Sequence, residues 1–169
     1  LFVLLATFSV TCAAAAQQPQ SISFTEASAG LAGVADGSSS TADVDGDGNQ
    51  DLLITGADAN GTPTATLYLG NGDGTFSEAN AGLTGVKYGS SSIADVNEDG
   101  HKDLLITGLD PSGSRTATLY LGNGDGTFSK GGLGGSGVGL TGVQYSSSSI
   151  ADVNGDGNQE ILITGLDIY

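Results

Sequence analysis

Carboxylates at every second position of a glycine-bearing loop can wrap a hard cation, and this chain carries such a loop three times. The first reads Asp43-Val44-Asp45-Gly46-Asp47-Gly48-Asn49-Gln50-Asp51, and the apolar run Leu52-Leu53-Ile54 leaves it. The second runs from Asp95 to Asp103 and the third from Asp152 to Glu160, with starts 52 and 57 residues apart. Ca²⁺ takes about six to eight oxygen ligands at ~2.3–2.6 Å, and a short loop of alternating acids supplies them from one stretch of backbone.

The composition agrees with cation chemistry and argues against other partners. Lysine and arginine total 4 against 19 aspartates and glutamates, for a formal net charge of −15. Nucleic acid and anionic membrane surfaces both need a basic face, so neither is expected as a partner. Eleven of the 19 acids fall in the three loops, so the charge is localised at fixed spacing. The 29 glycines recur at matching places beside apolar β-formers, which marks turns rather than a flexible linker. No histidine other than His101 is present, and no serine or cysteine has a plausible base beside it. Catalysis is therefore not expected.

The elements that must position the loops follow in chain order. Residues Leu1 to Ala16 are apolar, too short to span a bilayer comfortably, and end in small residues before Gln17-Gln18-Pro19-Gln20. That pattern fits a secretory signal peptide lacking its first residues, with cleavage near Ala16. Cys12 lies inside it, so the mature chain would have no disulfide and metal would have to staple its loops. The sequon Asn60-Gly61-Thr62 is placed on an exposed turn. The segment 17–30 holds one blade-completing strand near Ile22-Ser23-Phe24-Thr25. Three repeats follow: 31–82, then 83–139 with a glycine-rich insertion at its end, then a partial repeat 140–169.

Within each repeat a small-residue strand (Ser38–Val44, Ser90–Val96, Ser147–Val153) enters the acidic loop. A second strand leaves it (Leu52–Thr55, Leu104–Thr107, Ile161–Thr164). The third strand, Thr64–Leu69, returns residue for residue as Thr116–Leu121. Each copy is followed by Gly-Asn-Gly-Asp-Gly and a fourth strand opening Thr75-Phe76 or Thr127-Phe128. Asn-Gly and Asp-Gly between β-formers are hairpin signals, so Asp73 and Asp125 read as turn residues. The serine runs 90–92 and 146–149 read as buried strand. Four antiparallel strands in about fifty residues give an all-β fold of tandem propeller-type blades.

The combination of Ser-Ile-Ala-Asp-Val-Asn-x-Asp-Gly-x-x-Asp-Leu-Leu-Ile-Thr with Leu-Gly-Asn-Gly-Asp-Gly-Thr-Phe resembles the FG-GAP/VCBS repeat family, the blades of integrin-α-like β-propellers. The resemblance runs from about Ser21 to Tyr169. It implies about three structural Ca²⁺ ions. The first would be held by Asp43, Asp45, Asp47, the Asn49 carbonyl and Asp51. The second would be held by Asp95, Asn97, Asp99, the His101 carbonyl and Asp103, and the third by Asp152, Asn154, Asp156, the Asn158 carbonyl and Glu160. Glu160 departs from the usual aspartate. The third set also carries three carboxylates against four in the first, which implies weaker binding there. An EF-hand is excluded because its twelfth position, a glutamate, is Ile54, Ile106 or Ile163 here.

A closed propeller needs about four to eight blades, and two and a half cannot close. The sequence is thus expected to be a partial propeller, or an open β-array that neighbouring chains complete through their strand edges. The expected function is a secreted, calcium-binding adhesive or structural module at the cell exterior, self-associating or binding other extracellular proteins or glycans. The alternative is a lectin-like propeller with pockets at blade junctions, for which Asp36, Tyr88 and Tyr145 stand at equivalent positions.

Overall fold

The computed structural model describes residues 29–131 and 139–167, and every regular element among them is a β-strand. The expected leader, the strand near Ile22 to Thr25, most of the glycine-rich insertion and the last two residues lie outside the described residues. No helix among the described residues is long and apolar enough to cross a membrane.

The first sheet is antiparallel, in the order β1 (Ala35–Ala42), β2 (Asp51–Ala57), β3 (Pro63–Gly70), β4 (Phe76–Ala79). The second repeats it as β5 (Lys87–Ala94), β6 (Asp103–Leu109), β7 (Arg115–Gly122) and β8 (Phe128–Lys130). The third holds β9 (Gln144–Ala151) and β10 (Glu160–Leu166). Registers match between repeats: Leu53 faces Leu67 and Ser40, as Leu105 faces Leu119 and Ser92. The fold is thus all-β, with antiparallel sheets in tandem.

The inner strands begin about three residues earlier and end two earlier than the serine runs alone indicate. They stop at Ala42, Ala94 and Ala151 because the next valine is drawn out of the ladder. The Val44 and Val96 N–H groups donate instead to the carboxylates of Asp51 and Asp103. Each inner strand also has a register break near its start, after Ala35, Lys87 and Gln144. There Asp36, Tyr88 and Tyr145 adopt left-handed backbone at φ 51°, 54° and 49°, a conformation rare for residues with a Cβ.

The hydrophobic core lies between successive sheets. Val44, Leu53 and Leu67 of the first repeat pack with Val86, Leu104, Ile106 and Tyr120 of the second. Strand β2 is buried along its whole length, which explains its unbroken apolar run. A short segment of each repeat also reaches back to the sheet before it, with Val86 bridging Thr64 and Val143 bridging Thr116. These approaches are close. A Cβ on Gly85 or Gly142 would strike the carbonyl of Pro63 or Arg115. The tyrosine hydroxyls hold the same segments, Tyr68 accepting from the Ala32 N–H at 3.2 Å and Tyr120 from Thr84 at 2.8 Å.

The inner strands β1, β5 and β9 lie side by side, with β5 in the middle. No backbone ladder joins them, and serine hydroxyls do so instead. Ser38 and Ser40 meet the Ser91 hydroxyl at 3.2 and 2.8 Å, and Ser90 and Ser92 meet that of Ser148 at 2.9 and 2.7 Å. Of the serines read as buried, Ser90 and Ser91 are so, Ser92, Ser146 and Ser148 are half-buried, and Ser147 and Ser149 are exposed. The last two differ because no fourth sheet among the described residues covers that face of β9.

Candidate metal centre

Each acidic loop is held by its own carboxylates. In the first, Asp43 accepts from the N–H groups of Gly46 at 2.7 Å and Gly48 at 3.0 Å. Asp45 accepts from the Asp47 N–H at 3.1 Å. Gly46 and Gly48 carry the left-handed turns that curl the backbone around these oxygens, at φ 78° and 88°. Asp51, the first residue of β2, is fully buried. One of its oxygens takes the Val44 N–H at 2.7 Å and the other the Gly70 N–H at 2.9 Å, so it ties the loop, β2 and the end of β3 together.

One carboxylate oxygen from each of Asp43, Asp45 and Asp51 lies within 4.8 Å of the other two. Oxygens on opposite sides of one Ca²⁺ are separated by about twice a 2.3–2.6 Å bond, so this spread fits a shared cation. The electrostatics fit as well. Burial pushes the Asp51 carboxyl above its ordinary range, and the charges of Asp45 and Asp47 add to that, against the pull of the Val44 and Gly70 N–H bonds. No lysine or arginine stands in this loop, and a cation would offset both the burial and the repulsion.

Asp47 is not in that group of three. Its oxygens accept from the Asn49 backbone at 2.7 Å and side chain at 2.8 Å, bonds that hold its carboxyl below the ordinary range. Asn49 lies with its side-chain oxygen against Gly72 of the following hairpin turn.

The second loop repeats the frame. Asp95 accepts from Asp99 and Gly100 at 3.1 and 2.9 Å, and Asp103 accepts from Val96 and Gly122 at 2.8 and 2.9 Å. Asp103 is as fully buried as Asp51. Asn97 stands where the first loop has Asp45; its amide donates to Asp99 at 2.9 Å and its oxygen accepts from the Asp99 N–H at 3.2 Å. Asp99 accepts from the His101 N–H at 2.8 Å, a bond that holds its carboxyl below the ordinary range. The His101 ring rests on Gly124, as Asn49 rests on Gly72. Glu98 takes the left-handed position held by Gly46 and Gly155, at φ 60°.

In the third loop Asp152 accepts from Gly155 at 2.6 Å and Gly157 at 2.9 Å, and Asp156 from Asn158 at 2.8 Å. Glu160 keeps one of the two frame bonds, to the Val153 N–H at 2.9 Å. Its other oxygen accepts from the Asn154 amide at 2.9 Å, where Asp51 and Asp103 reach a third-strand glycine. The longer side chain therefore keeps the loop closed without a third strand beside it.

Two further aspartates do structural work that the loop pattern does not reveal. Asp58 and Asp110 close the turns between second and third strands. Asp58 accepts from Asn60 and Thr62, and Asp110 from Ser112 and Ser114. Their signal in the sequence was the matched Asp-x-x-Gly at 58–61 and 110–113. Asp73 and Asp125 cap the next hairpins by accepting from Thr75 and Thr127, as their turn reading requires.

The loops and the strands that frame them match the model of the FG-GAP-like repeat twice, over residues 43–106 and 95–163. The chain belongs to the FG-GAP-like repeat family, and each match runs from one acidic loop into the second strand of the next repeat. Neither a curated protein nor a solved structure matches the chain.

Proposed function

We propose that this chain is a secreted, calcium-stabilised repeat protein that serves as a structural or adhesive module outside the cell, without catalytic activity. The convergence of Asp43, Asp45 and Asp51 around a buried carboxylate carries the reading. An ion there would lock the connection from β1 to β2, and Asp51 would pass that constraint to β3 through Gly70. Asp47, released from Asn49, or water in its place, would add a further oxygen to the ion. The second and third sites, with asparagine at the third loop position, would bind more weakly. The apolar leader at 1–16 and the acidic balance support placement outside the cell.

Calorimetry with Ca²⁺ and with a chelator tests this. Added Ca²⁺ raises the melting temperature, by about 2.7 kcal/mol of stability at a hundredfold excess over the dissociation constant, and Asp45→Asn weakens the tightest site about tenfold, or about 1.4 kcal/mol. A melting curve indifferent to both Ca²⁺ and chelator refutes the proposal.

Carbohydrate binding is the second reading. It is supported by the Tyr88 and Tyr145 rings, 4.9 Å apart at the end of the inner strands, with Tyr145 64 % exposed. Titration with simple sugars in the presence of Ca²⁺ tests it, and Tyr145→Ala should remove any binding seen.

A further inference from the structure

The two turns between second and third strands share one hydrogen-bond frame but enclose different peptide bonds. In each, an aspartate Oδ1 accepts the N–H groups two and four residues on. For Asp58 these come from Asn60 and Thr62, both at 2.8 Å, and for Asp110 from Ser112 and Ser114 at 2.8 and 2.9 Å. In each, the aspartate's own carbonyl accepts the N–H of a left-handed glycine at 3.0 Å, Gly61 at φ 80° and Gly113 at φ 82°. The residue after the aspartate is Ala59 in the first repeat and Pro111 in the second.

That exchange changes the chemistry open to the carboxylate. An aspartate reaches its own carbonyl carbon through a five-membered ring, so the attack is intramolecular and loses little entropy. A carboxylate is a competent nucleophile when a leaving group is at hand. The proline nitrogen carries no hydrogen in the chain and departs as a secondary amine, more basic than the primary amine any other residue releases.

The second turn supplies the other requirements. The Ser112 hydroxyl donates to Oδ1 at 2.6 Å, beside the Ser112 and Ser114 N–H groups. These three bonds fix the carboxylate through one oxygen and leave Oδ2 to attack. The Ser112 hydroxyl and the Ser114 N–H, foremost, hold the carboxyl below its ordinary range, so the ionised form is present at neutral pH. The Gly113 N–H points at the Asp110 carbonyl oxygen, where negative charge develops in a tetrahedral intermediate. Pro111 is exposed, so water reaches its nitrogen.

We propose that the chain cleaves itself between Asp110 and Pro111. An Asp110 carboxylate oxygen bonds to the Asp110 carbonyl carbon, the bond from that carbon to the Pro111 nitrogen breaks, and the nitrogen takes a proton from water. The cyclic anhydride left on Asp110 is opened by water to a C-terminal aspartate. The net reaction consumes one water per bond cut and needs no oxidant or cofactor. It is a single turnover of the chain on itself, so it goes beyond the structural-module reading without replacing it. Strands β6 and β7 stay paired from Leu104 and Tyr120 to Leu109 and Arg115, so the two pieces part only on denaturation.

Intact mass and N-terminal sequencing of the full chain, held in neutral buffer with Ca²⁺ and protease inhibitors, test this. A fragment beginning Pro-Ser-Gly-Ser should accumulate at a first-order rate that dilution does not change. Methylamine in the buffer should end as an amide on the fragment that stops at Asp110, because it captures the anhydride in competition with water. Pro111→Ala gives the second turn the Asp-Ala pair that the chain already folds at 58–59, and it should abolish the cut. Asp110→Asn should abolish it too. Ala59→Pro places proline at a turn position that favours it and should create a second cut after Asp58. A chain that stays whole overturns the proposal. So does a cut that survives Pro111→Ala or Asp110→Asn, that speeds up with concentration, or that never carries the methylamide, since each marks a contaminating protease. An Ala59→Pro chain that folds and remains uncut after Asp58 overturns the part given to the shared turn.

Discussion

Asp51 and Asp103 are the residues on which each loop depends. Each is fully buried and satisfies two backbone N–H groups that nothing else reaches. Asp51→Ala leaves both donors orphaned, at about 1–3 kcal/mol each for a buried unsatisfied group. Loss of about 2–5 kcal/mol is therefore expected for Asp51→Ala, read from urea denaturation in the presence of chelator so that lost ion binding is not counted. Asp51→Asn is no rescue, since its amide must point one N–H at another. The ninth loop position was legible as an acid at a fixed spacing. Its burial and its bond to a glycine 19 residues away were not, because that partner sits at the end of a third strand whose register the loop does not encode.

The strand pattern was legible because burial follows it. The unbroken Leu52-Leu53-Ile54 and Leu104-Leu105-Ile106 are buried on both faces: Leu53, Leu104 and Ile106 lie in the core between the first two sheets, and Leu52 and Ile54 pack with Tyr68, Leu31, Val34 and Phe76 on the first sheet's other face. Position within the array then decides energy: Leu105→Ala should cost about 2–5 kcal/mol through lost burial and a cavity, while Leu162→Ala, at the same repeat position, should stay within about 0.5 kcal/mol. Denaturant midpoints of the two variants check this. The hairpins make a second prediction. Bonds from Thr62 to Asp58, and from Ser112 and Ser114 to Asp110, hold both carboxyls below their ordinary range. An acid with a lowered folded value contributes stability above its unfolded value, near ~4, and loses it as pH falls through the folded value. Stability should therefore fall below about pH 4, and Asp58→Asn with Asp110→Asn should flatten that fall, measured as urea midpoint against pH. The exposed turn at Asn60-Gly61-Thr62 was legible, whereas the closure of it by Asp58, and of its counterpart by Asp110, was not, because a lone aspartate bonds the N–H groups after it only once the turn has formed. The register breaks at Asp36, Tyr88 and Tyr145 escaped the sequence reading because nothing local marks a non-glycine residue for left-handed backbone.

At the scale of the molecule, the main contacts between sheets among the described residues join neighbours in sequence, and the middle sheet carries both. Stability in such an array is close to a sum of unit terms and nearest-neighbour terms. The tandem arrangement could be read from the spacing of the loops. The serine contact between inner strands could not. The runs Ser38-Ser39-Ser40, Ser90-Ser91-Ser92 and Ser147-Ser148-Ser149 were visible, but alternating orientation toward two different neighbours is a property of the assembled row. Disruption of the middle unit should therefore cost more than disruption of the third. Hydrogen exchange should show β9 and β10 opening at lower free energy than β5 and β6 in a monomeric sample.

Strands β3 and β7, with the hairpins after them, have one sequence from Thr64 to Ser77 and from Thr116 to Ser129. During folding, β2 and β6 therefore each meet two partners of equal affinity, and the correct choice is made only by chain connectivity. A pairing of β2 with β7 repeats the cross-strand pairs of the native ladder from Leu52 to Gly56, losing only the Pro63 end and the Asp58 turn, while stranding the segment between them. Such an exchanged topology is a kinetic trap built into the duplication. Refolding should show a slow unimolecular phase, independent of protein concentration, in which swapped strands unpair.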